Sequence, residues 1–224
     1  MRSKILSICL SQIELAQLRN ESLFSLANLT VPVGGTRALT ANGATMDLEL
    51  TVALPPVMTH HLEFSLDVLA AAAMASGQGS SGTGGNATTV TVSISPPTLM
   101  DNNSAADGVA HGAGGGTRHG TLRITAPRIT NTSWDPWGAL ESNFTLLSSE
   151  NTLELRVVVD RSIVEVWAAG GRAVISVRDF PDVGETAVRL RHQHSDTIAA
   201  TGGSASPPLR VERLEGWGMG CGWL

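Results

Sequence analysis

Residues 153–181 read Leu153-Glu154-Leu155-Arg156-Val157-Val158-Val159-Asp160-Arg161-Ser162-Ile163-Val164-Glu165-Val166-Trp167-Ala168-Ala169-Gly170-Gly171-Arg172-Ala173-Val174-Ile175-Ser176-Val177-Arg178-Asp179-Phe180-Pro181. Three runs rich in β-branched residues are separated by two kinds of punctuation. Asp160-Arg161-Ser162 is a polar break whose short side chains bond to neighbouring amides. Gly170-Gly171 supplies the positive φ that a tight hairpin requires. The stretch predicts a three-strand meander, with Ile163 and Val174 facing a core.

Working outward, the same period-two signal recurs. Met46, Leu48, Leu50 and Val52 alternate with polar residues, as do Leu62, Phe64, Leu66 and Val68, and then Val90, Val92 and Ile94. Further strands are expected at 120–125, 153–159, 163–168, 172–177, 187–191 and 209–214. No long stripe of period 3.6 appears. The best helical candidates are a turn near Gln12–Arg19 and the alanine run Leu69–Met74. One apolar and one polar face per strand predicts antiparallel sheets packed face to face, an all-β sandwich. Gly/Ser/Thr-rich stretches at 75–89, 105–117 and 201–208 read as surface loops between strands, because they bury too little apolar surface to offset ordering entropy. The expected organisation is a ragged extension over 1–11 and a single sandwich domain over 12–224.

Composition narrows function. Hydrophobic residues make up 42% and charged residues 16% of the 224, enough for a core and sparse in charge. The net charge of −5 and the absence of any basic run give no electrostatic reason to expect nucleic acid or an anionic membrane as partner. No apolar stretch approaches a membrane span. Met1-Arg2-Ser3-Lys4 precedes a short apolar stretch, Ile5–Leu10, below the about 7–15 residues of a secretory leader core, and reads as the start of a longer protein. Cys9 and Cys221 either pair or remain free thiols. Six Asn-x-Ser/Thr sequons, at Asn20, Asn28, Asn86, Asn102, Asn131 and Asn143, favour a secretory route.

The meander also resembles a known family. Asp160-Arg161-Ser162-Ile163-Val164-Glu165, Gly171-Arg172-Ala173-Val174-Ile175 and Arg178-Asp179-Phe180-Pro181 match the D-x-S-I-V-E, G-R-x-V-I and R-x-x-P stretches of the C-terminal β-sandwich of glycoside hydrolase family 32. That family comprises invertases, fructan hydrolases and related fructosyltransferases. Trp167 fits its aromatic two residues after the glutamate. Glu14-Leu15-Ala16-Gln17-Leu18-Arg19 resembles the opening of the sandwich, and Leu214-Glu215-Gly216-Trp217-Gly218-Met219 its closing strand. The motif residues Asp160, Ser162, Glu165, Gly171, Arg172, Arg178 and Pro181 are carried over as structural.

The resemblance implies that catalysis belongs to an N-terminal β-propeller in cis. The propeller's W-x-N-D-P-N-G, R-D-P and E-C motifs do not occur here, and Arg178-Asp179-Phe180 has Phe where R-D-P has Pro. No catalytic residue, cofactor or metal ligand is therefore assigned, and the chain alone is expected to be inactive. The parent would act on β-fructofuranosyl bonds of sucrose or fructans in a secreted or vacuolar setting. A homodimer is a further role the family's sandwich takes.

Sharper readings compete with plainer ones. Asp160 and Glu165 are an odd five residues apart, which places them on opposite faces of a regular strand rather than across a scissile bond. Arg172 and Arg178 are expected to pair with them across the hairpin. Trp134 and Trp137, in a proline-turned loop, either stack on a sugar, as in a stand-alone carbohydrate-binding module, or plug the sandwich end or face the propeller. Burial weighs more for large aromatics. His192 and His194 share a strand face but lack further zinc-type ligands and are read as a solvated pair, as are His60 and His61.

Overall fold

A computed structural model describes residues 16–71, 87–97, 117–126, 139–147, 149–193 and 207–220. Among these residues twelve strands are formed: β1 (Arg19–Val31), β2 (Thr36–Asn42), β3 (Thr45–Ala53), β4 (Leu62–Ala71), β5 (Thr88–Ile94), β6 (Arg118–Thr125), β7 (Ala139–Leu146), β8 (Thr152–Asp160), β9 (Ile163–Ala168), β10 (Ala173–Arg178), β11 (Glu185–His192) and β12 (Leu209–Met219). They build two six-stranded sheets, one in the order β1-β12-β3-β8-β9-β10 and the other β2-β11-β4-β5-β6-β7. Every neighbouring pair is antiparallel. The all-β sandwich expected from the alternation is the fold.

The alternation fixes what the two sheets share. Met46, Leu48, Leu50 and Val52 of β3, Val157 and Val159 of β8, and Val164 and Val166 of β9 are buried on the first sheet. They meet Phe64 and Leu66 of β4, Val90 and Val92 of β5, and Leu122 and Ile124 of β6, also buried, in one apolar cluster. Removing such side chains from water supplies roughly 1.5–3 kcal/mol each, the main term favouring the fold. The close packing has a local condition at Gly216 of β12. A Cβ there would lie 2.5 Å from Phe24 Cε1 and 3.0 Å from Leu48 Cδ2, so the Phe24 ring occupies the space a side chain would need.

The meander differs in facing from the expectation. Ile163 and Val174 are 38% and 48% exposed, while Val164, Val166, Ile175 and Val177 point inward. Asp160 pairs directly with Ile163, so the hairpin turn comprises only Arg161 and Ser162, and Arg161 takes a φ of 54°. That two-residue turn fixes the register, and the register sends Ile163 to the outer face. At the next hairpin Ala169, Gly170 and Gly171 have φ of 53°, 66° and 85° in succession, a left-handed run that glycine makes inexpensive.

Three strands escape the sequence expectation. β1, β2 and β7 lie at sheet edges, and β1 buries only Phe24 and Val31 and β7 only Phe144 and Leu146, too few to show a period. The alanine run expected to be helical begins instead as strand, since β4 continues through Ala71. Its leading residues, Leu69 and Ala70, are fully buried, and tertiary burial overrides alanine's helix propensity. Of the turn near Gln12–Arg19, Ala16 and Gln17 are helical and Arg19 already belongs to β1.

The facing makes a direct prediction. Val166→Asp puts an unpaired charge into the core and should abolish cooperative folding, a loss above about 4 kcal/mol. Val174→Asp should melt within about 1 kcal/mol of the parent, the span of strand propensity. Thermal denaturation followed by circular dichroism separates the two; equal losses would show the assigned facing to be wrong.

Candidate functional site

The motif residues lie on the outer face of the first sheet and at its junction with the second. Asp160 ends β8 and is exposed, and Glu165 is half-buried on β9. Contrary to the expectation from their spacing, both lie on the outer face. Asp160 pairs with Ile163, which shares a face with Glu165 two residues on, and residues opposite each other across a hairpin point the same way. Glu165 accepts a hydrogen bond of 3.1 Å from Ser176 Oγ, its partner on β10. Ser162 contributes its carbonyl, which accepts from the Asp179 amide at 2.8 Å.

Arg172 does not pair with Asp160 or Glu165. From the β9–β10 turn its Nε donates to the Ala169 carbonyl at 2.7 Å. Its Nη1 reaches the Thr145 carbonyl of β7 at 2.6 Å and Glu150 Oε2 at 2.9 Å, and its Nη2 bonds Glu150 Oε1. The glycines preceding it turn the chain so that this guanidinium crosses to the other sheet. The hydrogen bond from Arg172 holds the Glu150 carboxyl below its usual range against the opposing effect of desolvation. Arg178 likewise leaves the carboxylates alone and lies 5.9 Å from the Phe180 ring centroid. Half-buried Pro181 follows in the link from β10 to β11.

Asp179, in the same link, is fully buried. Its carboxylate accepts from Thr88 Oγ1 of β5 and, at 2.9 Å, from the Phe180 amide. Arg178-Asp179-Phe180 is thus a tie between the sheets.

The largest polar cluster on this face was not assembled by the sequence reading. Asp47 of β3 faces outward yet is fully inaccessible. Arg156 of β8 grips it with Nε–Oδ1 at 2.9 Å and Nη2–Oδ2 at 2.7 Å, and Arg19 Nε of β1 donates to Oδ2 at 2.8 Å. Arg19 also bonds Glu49 and stacks 3.6 Å from the Trp217 ring centroid on β12. Burial opposes the Arg19 charge, but the bonds to Glu49 and Asp47 outweigh it and its pKa is raised. The opening Arg19 and the closing Trp217, quoted above as separate end motifs, are one contact. Asp47 lies opposite Val158 and Trp217, so both arginines reach it diagonally, Arg156 from opposite Glu49 and Arg19 from β1 beyond β12.

His192 is buried rather than solvated. Its Nδ1 is 3.2 Å from both the Val31 carbonyl and the Leu209 amide. Burial pushes its pKa down, partly offset by the Val31 and Pro32 carbonyls. It borders a cleft of about 350 Å³ with Leu54, Pro56, Met58, His60 and Leu209. The lining of that cleft holds no carboxylate and no Trp, Tyr or Phe. His60 and His61 are half-buried, and His61 Nε2 is 3.7 Å from Glu63 Oε2. Trp134, Trp137, His194, Cys9 and Cys221 lie outside the described residues.

Two outcomes test these contacts. Asp47→Asn leaves two arginines around a neutral amide and should cost about 3–5 kcal/mol, read as a lower urea midpoint; an unchanged midpoint would show the cluster to be idle. Glu150, with its folded pKa depressed, contributes stability above the ordinary carboxylate range that is lost as pH falls through the folded value. Glu150→Gln should therefore cost about 1 kcal/mol or less at pH 7, as partly exposed pairs do, and the gap to the parent should close in acid. A gap that widens with acid would contradict the assignment.

Comparison with known proteins agrees with this architecture. The sequence matches the family described as "Glycosyl hydrolases family 32 C terminal" over residues 14–206. No curated protein gives a significant sequence match. Among solved structures, fructan 1-exohydrolase IIa from Cichorium intybus in complex with 1-kestose superposes with a TM-score of 0.65 at 14% identity, over 93% of this chain and 37% of that one. Exo-inulinase from Aspergillus awamori gives 0.54 at 16% identity, over 93% and 31%. Fructosyltransferase from A. japonicus gives 0.52 at 16% identity, over 93% and 28%. These identities speak to the fold alone, and this chain spans about 37% of the length of the Cichorium enzyme. By its match over residues 14–206, the chain belongs to the family of glycosyl hydrolase family 32 C-terminal domains.

Proposed function

We propose that this chain is the non-catalytic β-sandwich of a fructosidase-type glycoside hydrolase. In this reading it supports in cis a β-propeller that acts on β-fructofuranosyl bonds of sucrose or fructans, in a protein of the secretory route or vacuole. The observation that carries the reading is where the motif's polar groups are engaged. Glu165 is bonded to Ser176, Arg172 to Glu150 and two carbonyls, and Asp47 to Arg19 and Arg156. Glycoside hydrolysis needs two carboxyl groups flanking a bound sugar. The described cleft presents none in its lining, and two carboxylates of the motif stretch, Glu165 and Asp179, are engaged in inter-strand and inter-sheet ties.

Two further observations support a supporting role. The structural relatives are chains of nearly three times the matched length, so most of each lies outside the part resembling this one. The fold also leaves Ile163 and Val174 exposed on the outer face of the first sheet, with Phe180 and Val183 in the adjoining link. Uncovered apolar side chains of this kind suit an interdomain contact.

Isothermal titration with sucrose, short fructo-oligosaccharides and inulin, run beside a reducing-sugar assay, tests the proposal. The purified chain should neither bind nor turn over these sugars. Turnover above background would sink the supporting role. Binding that disappears on replacing Trp134 or Trp137 with Ala would replace it with a carbohydrate-binding module.

A further inference from the structure

Three of the six sequons lie among the described residues, and their placement is not scattered. Asn20-Glu21-Ser22 and Asn28-Leu29-Thr30 are on β1, and Asn143-Phe144-Thr145 is on β7. Among the described strands, β1 is an edge of the first sheet, paired with β12, and β7 is an edge of the second, paired with β6. All three asparagines and their hydroxyl residues Ser22, Thr30 and Thr145 are exposed. β1 lies beside β2 on one flank of the sandwich, and β7 beside β10 on the other. Each open flank therefore carries at least one sequon.

We infer that Asn20, Asn28 and Asn143 are N-glycosylation sites whose glycans cover the two open flanks of the sandwich. An unpaired edge strand offers a row of free amides and carbonyls to another chain, and β1, at 13 residues, is the longest strand described. A bulky, hydrated substituent on such a strand blocks edge-to-edge pairing. The inference rests on the secretory reading above.

The local backbone suits the modification. Asn20 sits at a register shift between Arg19 and Glu21, where β1 carries an extra residue opposite β12, and the extra residue of a bulge is left outside the ladder. Asn28 has a φ of 53° and is not itself bridged to β12, although Ala27 and Leu29 on either side are paired. Asparagine enters this left-handed region more readily than most residues. At Asn143, Oδ1 accepts from Thr121 Oγ1 at 3.0 Å. Glycosylation uses the other amide atom. Nδ2 attacks the anomeric carbon of a lipid-diphosphate-linked oligosaccharide, the C1–O bond to the diphosphate breaks, a C1–N bond forms and Nδ2 gives up one proton. Oδ1 keeps its hydrogen bond, so the product is compatible with the observed contact.

The test is secretion of the full chain from a eukaryotic host behind a cleavable leader, with glycopeptide mass spectrometry before and after enzymatic deglycosylation. All three asparagines should carry glycan. Ser22→Ala, Thr30→Ala and Thr145→Ala should each remove one glycan's mobility step while leaving every asparagine, including the left-handed Asn28, in place. The deglycosylated protein should shift from monomer toward larger species on size exclusion. Unmodified asparagine in the three peptides of a secreted, monomeric protein overturns the assignment. A deglycosylated protein that stays monomeric overturns the covering of the edges. Localisation in the source cells is scored separately: a cytosolic protein sinks the secretory reading, while modification in the host still supports the acceptor sites.

Discussion

Asp47 points away from the core, yet no water reaches it. Its carboxylate is enclosed by the guanidinium groups of Arg156 and Arg19, and Arg19 is in turn laid over Trp217. A charge so desolvated persists only where its partners are fixed, and here they come from β8 and β1, with the stacked ring from β12. One carboxylate on β3 therefore couples the edge strand that opens the fold and the strand that closes it to the centre of the sheet. Such a buried triad adds less net stability than an apolar replacement of the same shape could, but it punishes any register that separates the partners. Sliding β1 or β8 by one residue would turn its arginine to the opposite face. The pairing of Arg19 with Met219, and of Glu49 with Arg156, is the register at which the charges meet.

The same economy governs the junctions between the sheets. Three places where the two sheets meet are held by a polar group with partners on both sides. Asp179 joins Thr88 of one sheet to the turn carbonyl of Ser162 on the other, through its side chain and its amide. Arg172 spans from the β9–β10 turn to β7. His192, at the end of β11, sits against the end of β1 and the start of β12. Apolar burial makes the sheets adhere, but it is nearly indifferent to sliding, and directional bonds at the rims set the relative placement. Within the motif that carries the family resemblance, Glu165, Arg172 and Asp179 each make a contact of this architectural kind.

How much of this was legible in the sequence follows from what each element asks of its residues. Central strands with one face in the core show clean alternation, which is why β3, β4 and β5 were read with their facing intact. Edge strands ask less. β2 is Thr36-Arg37-Ala38-Leu39-Thr40-Ala41-Asn42 with Leu39 and Ala41 buried, and β1 changes register twice along its length, which breaks the period. The facing of Ile163 was lost for another reason. In Val157-Val158-Val159 and Ile163-Val164 apolar residues occur on both faces, so pattern leaves the phase open and only the turn length settles it. Asp160 and Glu165 were misplaced by the same omission, because a spacing rule for one strand was applied across a hairpin. The Asp47 cluster is a matter of register between residues 28 and 109 positions apart, which a reading of local period does not reach.

These points bear on what kind of function the fold can host. A catalytic centre keeps polar groups free and poised, often at a cost in stability, whereas a scaffold commits them. Several charged side chains of the outer face are engaged with one another, Arg213 with Glu49 and Glu215, Arg19 with Asp47 and Glu49. The surface also exposes apolar groups, at Ile163 and Val174, and amides, at the edge-strand asparagines. Exposed apolar area is material for contact with another domain, and an exposed edge amide is material for a modification that prevents the wrong contact. On the proposed reading, a sandwich organised in this way offers shape and exclusion, and chemistry on a sugar is the task of the propeller.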